Sequence, residues 1–379
     1  MQIHVVQQGD SLYSIGKEYG TDYATLARQN GIDPRQTLVI GQTIVIPGES
    51  DRLGIVEVNG YAFANIAEDV LAKTLPRLTF LSLFSYEVRP GGDLVPIAVP
   101  AAEDRAISAA IAARVMPALV LTNIGTSGNF EADLAHAIIN DAAAVGKLLD
   151  SLTAIMHSKG YAGLDVDFEY VLPADREAYT SFLETCAARM ESHGFFLSCA
   201  IPAKDADNPA DSLTGAYDYA AIGQIADYVT LMTYEWGYAA GQPMAVAPIN
   251  KVEDVLRFAT GLMPSVKILM GIPNYGYDWP TPVTPATPGK AIGNTRAVDL
   301  ARKYNQAISF DETAQTPFFE YWPNAHTRHE VWFEDARSAH AKLLMAHKYN
   351  LAGFSYWTIN RYWPQNWLLL DEMYDVGKA

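Results

Sequence analysis

From Leu53 onward, strand-length apolar runs alternate with longer helical stretches, and few architectures can absorb eight such runs in one chain. The runs cover residues 54–58, 79–85, 118–123, 163–169, 196–201, 228–234, 267–272 and 353–357. Strands separated each time by a helix feed parallel pairings, because a parallel neighbour needs a crossover connection. Eight of them predict the α/β class, closed as a (β/α)8 barrel. Between the seventh and eighth runs, residues 273–334 are too long for a loop. A Pro-rich start and strand-like pieces at 318–322 and 330–333 predict a small α+β insertion at one rim.

Composition agrees with an ordered barrel plus a short module. The chain has 379 residues, 49% hydrophobic and 18% charged, enough for a large core. Its formal net charge of -16 disfavours nucleic acid, which is held through basic patches that neutralise phosphates. A neutral or weakly charged substrate fits better. No apolar run approaches the roughly 18 to 20 residues that span a bilayer. The opening Met1-Gln2-Ile3-His4-Val5-Val6 is strand-like, without a basic region followed by an apolar signal segment. Cys186 and Cys199 read as buried free thiols, and no metal-ligand cluster or cofactor motif is evident.

The fourth run, Gly163-Leu164-Asp165-Val166-Asp167-Phe168-Glu169, carries the chemistry. Alternate residues of a strand share a face, so Asp165, Asp167 and Glu169 project together. Three carboxylates this close cannot all ionise in a low-dielectric site, so at least one holds a proton at neutral pH. A proton held there can serve acid catalysis. A cation site is the duller reading, but hard-cation loops wrap oxygen ligands from turns, whereas Val166 and Phe168 belong to a packed strand. Other runs end in polar or aromatic residues on the same rim: Tyr234-Glu235, Asn274-Tyr275 and Trp357. The aromatic set Tyr234, Trp236, Tyr238, Tyr275, Tyr277 and Trp279 suits the faces of sugar rings.

Residues 1–48 form a separate βααβ unit, joined to residues 49–379 by the polar linker Gly48-Glu49-Ser50-Asp51-Arg52. Asp10 or Ser11 can cap one helix, and Thr21 or Asp22 the next. The opening Val6-x-x-Gly9-Asp10-Ser11-Leu12, the Asn30-Gly31 corner and the closing Gly41-Gln42-x-Ile44-x-Ile46-Pro47 resemble the LysM module. That resemblance implies binding of N-acetylglucosamine-containing glycans, such as peptidoglycan or chitin, beside Gly9, Asp10, Ser11, Leu12 and Ile32. A single copy gains by being tethered to another glycan site.

The carboxylate strip resembles the D-G-x-D-x-D-x-E signature of glycoside hydrolase family 18, with Ala162 in place of the first aspartate. Met232-Thr233-Tyr234 is similar to the sixth-strand motif of that family, and Trp357 to its eighth-strand tryptophan. The resemblance implies that Glu169 is the general acid and that Asp167 manages the substrate acetamido group. It further implies that Asp165 tunes the charge of Asp167, that Tyr234 holds the acetamido oxygen and that Trp357 floors the sugar. The loss at Ala162 is expected to alter that tuning rather than abolish activity. Tyr234 and Trp357 would be ordinary core aromatics without the strip.

Longer stretches, including 232–238, 273–279 and 329–338, look like the spore-germination branch of that family, and Glu235 is another mark of it. Asn274, Tyr275, Glu235 and Trp236 are then expected at the substrate. The implied function is a retaining, substrate-assisted N-acetylglucosaminidase acting on peptidoglycan of the spore cortex, as a monomer at the spore or cell wall. The alternatives are a chitinase or chitooligosaccharide hydrolase, and a non-catalytic glycan-binding spore-coat protein. His326 and His329 lack the spacing of a zinc helix and read as exposed hairpin residues. Asp335 reads as the cap of the following helix.

Overall fold

The computed structural model describes residues 1–48, 51–96 and 99–378, so linker residues 49 and 50 lie outside the described residues. Eight parallel strands close on themselves: Ile55–Phe63, Phe80–Val88, Met116–Thr122, Gly163–Asp167, Phe196–Pro202, Tyr228–Met232, Ile268–Pro273 and Gly353–Trp357. The first pairs with both the second and the eighth, which removes every edge among them. Val58, Leu83, Leu119, Val166, Ile201, Leu231 and Phe354 belong to one continuous buried core with the surrounding helices.

All eight expected strands are present; most boundaries shift by a few residues, and two of the shifts shape the site. The first runs on to Phe63 because Gly60 is an interior strand residue, not a turn. A Cβ there would meet Ile359 and Leu78 at 2.9 and 3.1 Å, so the glycine makes room for packing. The fourth stops at Asp167, two residues short of Glu169, because the Asn123 side chain takes up the Glu169 backbone.

The insertion is a five-stranded antiparallel sheet ordered Lys290–Ile292, Gly276–Thr281, Thr327–Trp332, Thr316–Asn324 and Ser309–Asp311, with the helix Asn294–Lys303. Three of these strands are short or proline-flanked and escape a pattern search. His329 is not an exposed hairpin residue as expected: its Nδ1 lies 2.7 Å from Asp278 Oδ1, which draws it into the sheet. His326 is exposed. Asp335 caps the helix Ala336–Tyr349, accepting from the Arg337 and Ser338 N–H groups.

The front unit is strand Gln2–Val5, helices Leu12–Tyr19 and Tyr23–Asn30, and strand Thr43–Ile46, with Ser11 and Asp22 as the caps. It seats against the barrel. Gln365 Nε2 donates to Thr43 O at 2.6 Å and to Asn30 Oδ1 at 3.0 Å, and Val39 is buried with Ile308, Phe319 and Phe333 of the insertion. No described helix is long and apolar enough to cross a membrane. Cys186 and Cys199 are buried free thiols.

Candidate active site

The carboxylates stand at the C-terminal end of the fourth strand, the rim where barrels of this kind collect their polar side chains. Asp165 is fully buried and accepts a hydrogen bond from Tyr61 Oη at 2.5 Å. Burial raises its pKa, and hydrogen bonds from Tyr61, Ser198 and Ser82 work against the rise. Asp167 is also buried, and its Oδ1 has no partner among the described residues. Burial, then the neighbouring charges of Glu169 and Asp165, push its pKa well above the carboxylate range. The pKa values of all three carboxyls are raised, so the strip holds a proton as a coupled group.

Glu169 is half-buried just past the strand. Burial, then the charge of Glu235, lift its pKa to about 7. A carboxyl group poised there is protonated for part of the population at neutral pH and can give or take a proton. Its backbone is clamped from both sides. Asn123 Oδ1 accepts the Glu169 N–H at 2.9 Å, and Asn123 Nδ2 donates to the Glu169 carbonyl at 2.8 Å. Tyr217 Oη donates to the adjacent Phe168 carbonyl at 2.8 Å. Tyr170 follows in the left-handed region, φ 56°, which turns the chain sharply away from the strand.

Tyr234 approaches from beyond the sixth strand, and Gly271 of the seventh clears its path, since a Cβ there would lie 2.8 Å from Tyr234 Cε1. Burial, then the charge of Asp167, hold the Tyr234 hydroxyl well above its ordinary pKa, so it stays a neutral donor. Glu235 also adopts the left-handed region, φ 68°, a strained choice for a glutamate. It accepts hydrogen bonds from the hydroxyls of Tyr275 and Tyr277 while keeping a solvent-exposed face. Trp357 is partly buried, edge-on to Phe84 and Tyr61 with ring centroids at 5.0 and 5.4 Å. Trp357 and Tyr234 also share the aromatic cluster of Tyr275, Tyr277 and Trp279.

Two expected substrate residues sit elsewhere. Asn274 is buried, and its amide donates to the carbonyls of Thr358 at 3.0 Å and Arg361 at 2.5 Å. It shapes the loop behind Trp357. Trp236 packs against the main core, and its backbone N–H donates to the Val246 carbonyl at 3.1 Å. Ala162 precedes the fourth strand, and the strand rise puts about 16 Å between it and Asp167. An aspartate there would be remote from the charges it was expected to tune.

In the module, Leu12 is core and Ser11 is spent on its cap. Asp10 accepts from the Gln7 N–H at 2.7 Å and lies 2.9 Å from His4 Nε2, and Gly9 is exposed with φ 93°. Ile32 packs against the module's own core, which includes Leu12, and also lines a cleft between the two units. No group of three or more His, Cys, Asp or Glu among the described residues could hold a metal ion.

Asn123, Tyr61 and Tyr217 were missed in the sequence. Asn123 carried a signal, a polar residue closing an apolar strand at the catalytic rim. Tyr61 and Tyr217 carried none.

A closed barrel with clustered carboxyl groups beside an aromatic cluster at the C-terminal rim suits glycoside hydrolysis. The family model of glycosyl hydrolases family 18 matches residues 113–361, and that of the LysM domain residues 4–47. The chain belongs to glycosyl hydrolases family 18 and is a glycoside hydrolase with an N-terminal LysM domain. A cortical fragment-lytic enzyme of Bacillus cereus is 39% identical over 432 aligned positions, covering 100% of this chain and 99% of that protein. A putative sporulation-specific glycosylase of Bacillus subtilis is 32% identical, covering 97% of this chain and 98% of that protein. The crystal structure of the Bacillus cereus spore cortex-lytic enzyme SleL superposes with a TM-score of 0.92 at 35% identity, covering 100% of this chain and 99% of that one.

Proposed function

We propose that this chain is a retaining N-acetylglucosaminidase that cleaves peptidoglycan of the spore cortex, using the substrate's own acetamido group as nucleophile. The observation that carries the reading is Glu169, half-buried with its pKa lifted to about 7, beside the buried Asp167, whose pKa is also raised. Glu169 gives its proton to the departing glycosidic oxygen while the acetamido carbonyl oxygen attacks the anomeric carbon from the other face. Asp167, its Oδ1 still unpartnered, accepts the acetamido N–H and stabilises the oxazolinium that forms. Asp165, held by the Tyr61 hydroxyl, raises the proton affinity of Asp167 through its charge. Tyr234 donates to the acetamido oxygen, Trp357 supports the sugar's apolar face, and Glu235, steered by Tyr275 and Tyr277, sets the proton affinity of Glu169. Water then opens the oxazolinium, Glu169 takes a proton back, and two inversions give net retention.

In this reading residues 1–48 bind glycan, residues 49–379 cleave it with the insertion at 273–334 forming one wall, and the protein works as a monomer at the spore or cell wall. Its cortex-lytic relatives, which it matches along their whole length, support the choice of cortex over chitin. The test is to incubate the protein and its Glu169→Gln variant with cortex fragments and with chitooligosaccharides, then identify products by mass spectrometry. Cleavage of cortex fragments by the parent alone is expected. Preferred cleavage of chitooligosaccharides would give the chitinase reading instead, and cleavage of neither would leave a glycan-binding protein.

A further inference from the structure

The LysM domain seats against the barrel and leaves a cleft of about 380 Å³ at the junction, within the size range of small-ligand sites. The domain supplies Ile32 and Gln36; the barrel side supplies Asn294, Thr295, Glu334 and Tyr362. The walls are fixed, since Arg302 Nε donates to the Thr37 carbonyl at 2.7 Å and Ile308 N–H to the Ile40 carbonyl at 2.9 Å.

The lining chemistry selects a neutral ligand carrying both donors and acceptors. Arg302 is paired with Asp299 at 2.5 Å, and Lys342 is paired with Glu334 at 2.8 Å, so these cations are already committed. Two neighbouring polar atoms are left over. Asn294 Nδ2 is a donor and Glu334 Oε1 an acceptor, each buried without a partner among the described residues. They belong to adjoining residues, because Asn294 Oδ1 accepts the Glu334 N–H at 3.0 Å. An acetamido group presents the matching pair, a carbonyl for the donor and an N–H for the acceptor. Ile32 and the Tyr362 ring provide apolar surface for the sugar's C–H face.

The cleft is joined to the active site through one chain segment. Asn274 pins Thr358 and Arg361 directly after Trp357, and residues 362–365 then enter the cleft. We propose that the cleft is a second glycan site, built jointly by the LysM domain and the barrel, that holds an N-acetylated sugar of the strand being cleaved. This rests on the glycan-hydrolase reading above.

The inference is tested on the full chain in the Glu169→Gln background, titrated calorimetrically with hexameric N-acetylglucosamine. Two substitutions alter the cleft without removing an internal hydrogen bond: Thr295→Trp fills it from an exposed helix position, and Gln36→Ala removes an exposed amide. Each is expected to weaken binding about tenfold, the scale of one or two lost polar contacts, with the thermal midpoint retained. With Glu169 intact, the loss should read in KM for long strands rather than in kcat. Unchanged affinity in both variants would overturn the proposal and leave a cleft that holds water alone. The titration decides this whether or not the parent cleaves strands, so a failure of the hydrolase reading would be seen separately.

Discussion

Glu169 and Glu235 form an electrostatic pair whose consequences can be worked out in sign. Glu169 must carry its proton to act as an acid, so kcat/KM should fall as pH rises through about 7. Part of that elevation comes from the Glu235 charge. Glu235→Gln should therefore move the alkaline limb of the kcat/KM profile to lower pH, and a limb that stays in place would uncouple the two groups. The same burial has a stability cost. The folded-state pKa of Glu169 lies above the ordinary unfolded value, so its contribution is fully present near pH 4 and is lost as pH rises through about 7. Glu169→Gln should be more stable than the parent above pH 7, by on the order of 2 kcal/mol, with the difference closing toward pH 4. Urea denaturation at both pH values measures it.

At the scale of elements, the site depends on where the fourth strand stops. Asn123 closes the third strand and clamps the Glu169 backbone with both ends of its amide, which fixes the acid just beyond Asp167. Asn123→Ala should lower kcat about a hundredfold with a smaller change in KM, as for a misplaced catalytic group, while the circular dichroism spectrum is kept. Equal changes in both constants would argue against a positioning role. This clamp also shows where the sequence was readable. Asp165 and Asp167 could be placed from strand alternation alone, because the period of two holds as far as Asp167. Glu169 lies outside that period and owes its position to a side chain more than forty residues upstream. Tyr61 was hidden because Asn59-Gly60 looks like a turn, and only the contacts of Ile359 and Leu78 with Gly60 reveal an interior strand glycine. Asn274 and Trp236 lay on the correct rim in sequence, but the Asn274 amide is spent on loop carbonyls and the Trp236 ring packs against the core. Sequence position does not encode which way such a side chain is spent.

Across the whole molecule, the sequence showed a short polar linker before the barrel, and the structure seats the LysM domain against it. Gly41 shows how close the contact is: its φ is 84°, and a Cβ would come within 2.0 Å of the Ile308 carbonyl oxygen. Gly41→Ala should lower the thermal midpoint by several degrees through a left-handed backbone penalty and a blocked interface. An unchanged midpoint in differential scanning calorimetry would mean that the two units unfold independently. Seated in this way, the domain would present glycan at the junction cleft under the proposed function, and the barrel would deliver the proton from Glu169. Everything in that scheme turns on the acetamido group acting as the nucleophile. The most direct test is proton NMR of the first products released from an N-acetylglucosamine-containing glycan, read before the anomers equilibrate. The account predicts the anomeric configuration of the substrate retained in the product; an inverted first product would contradict it.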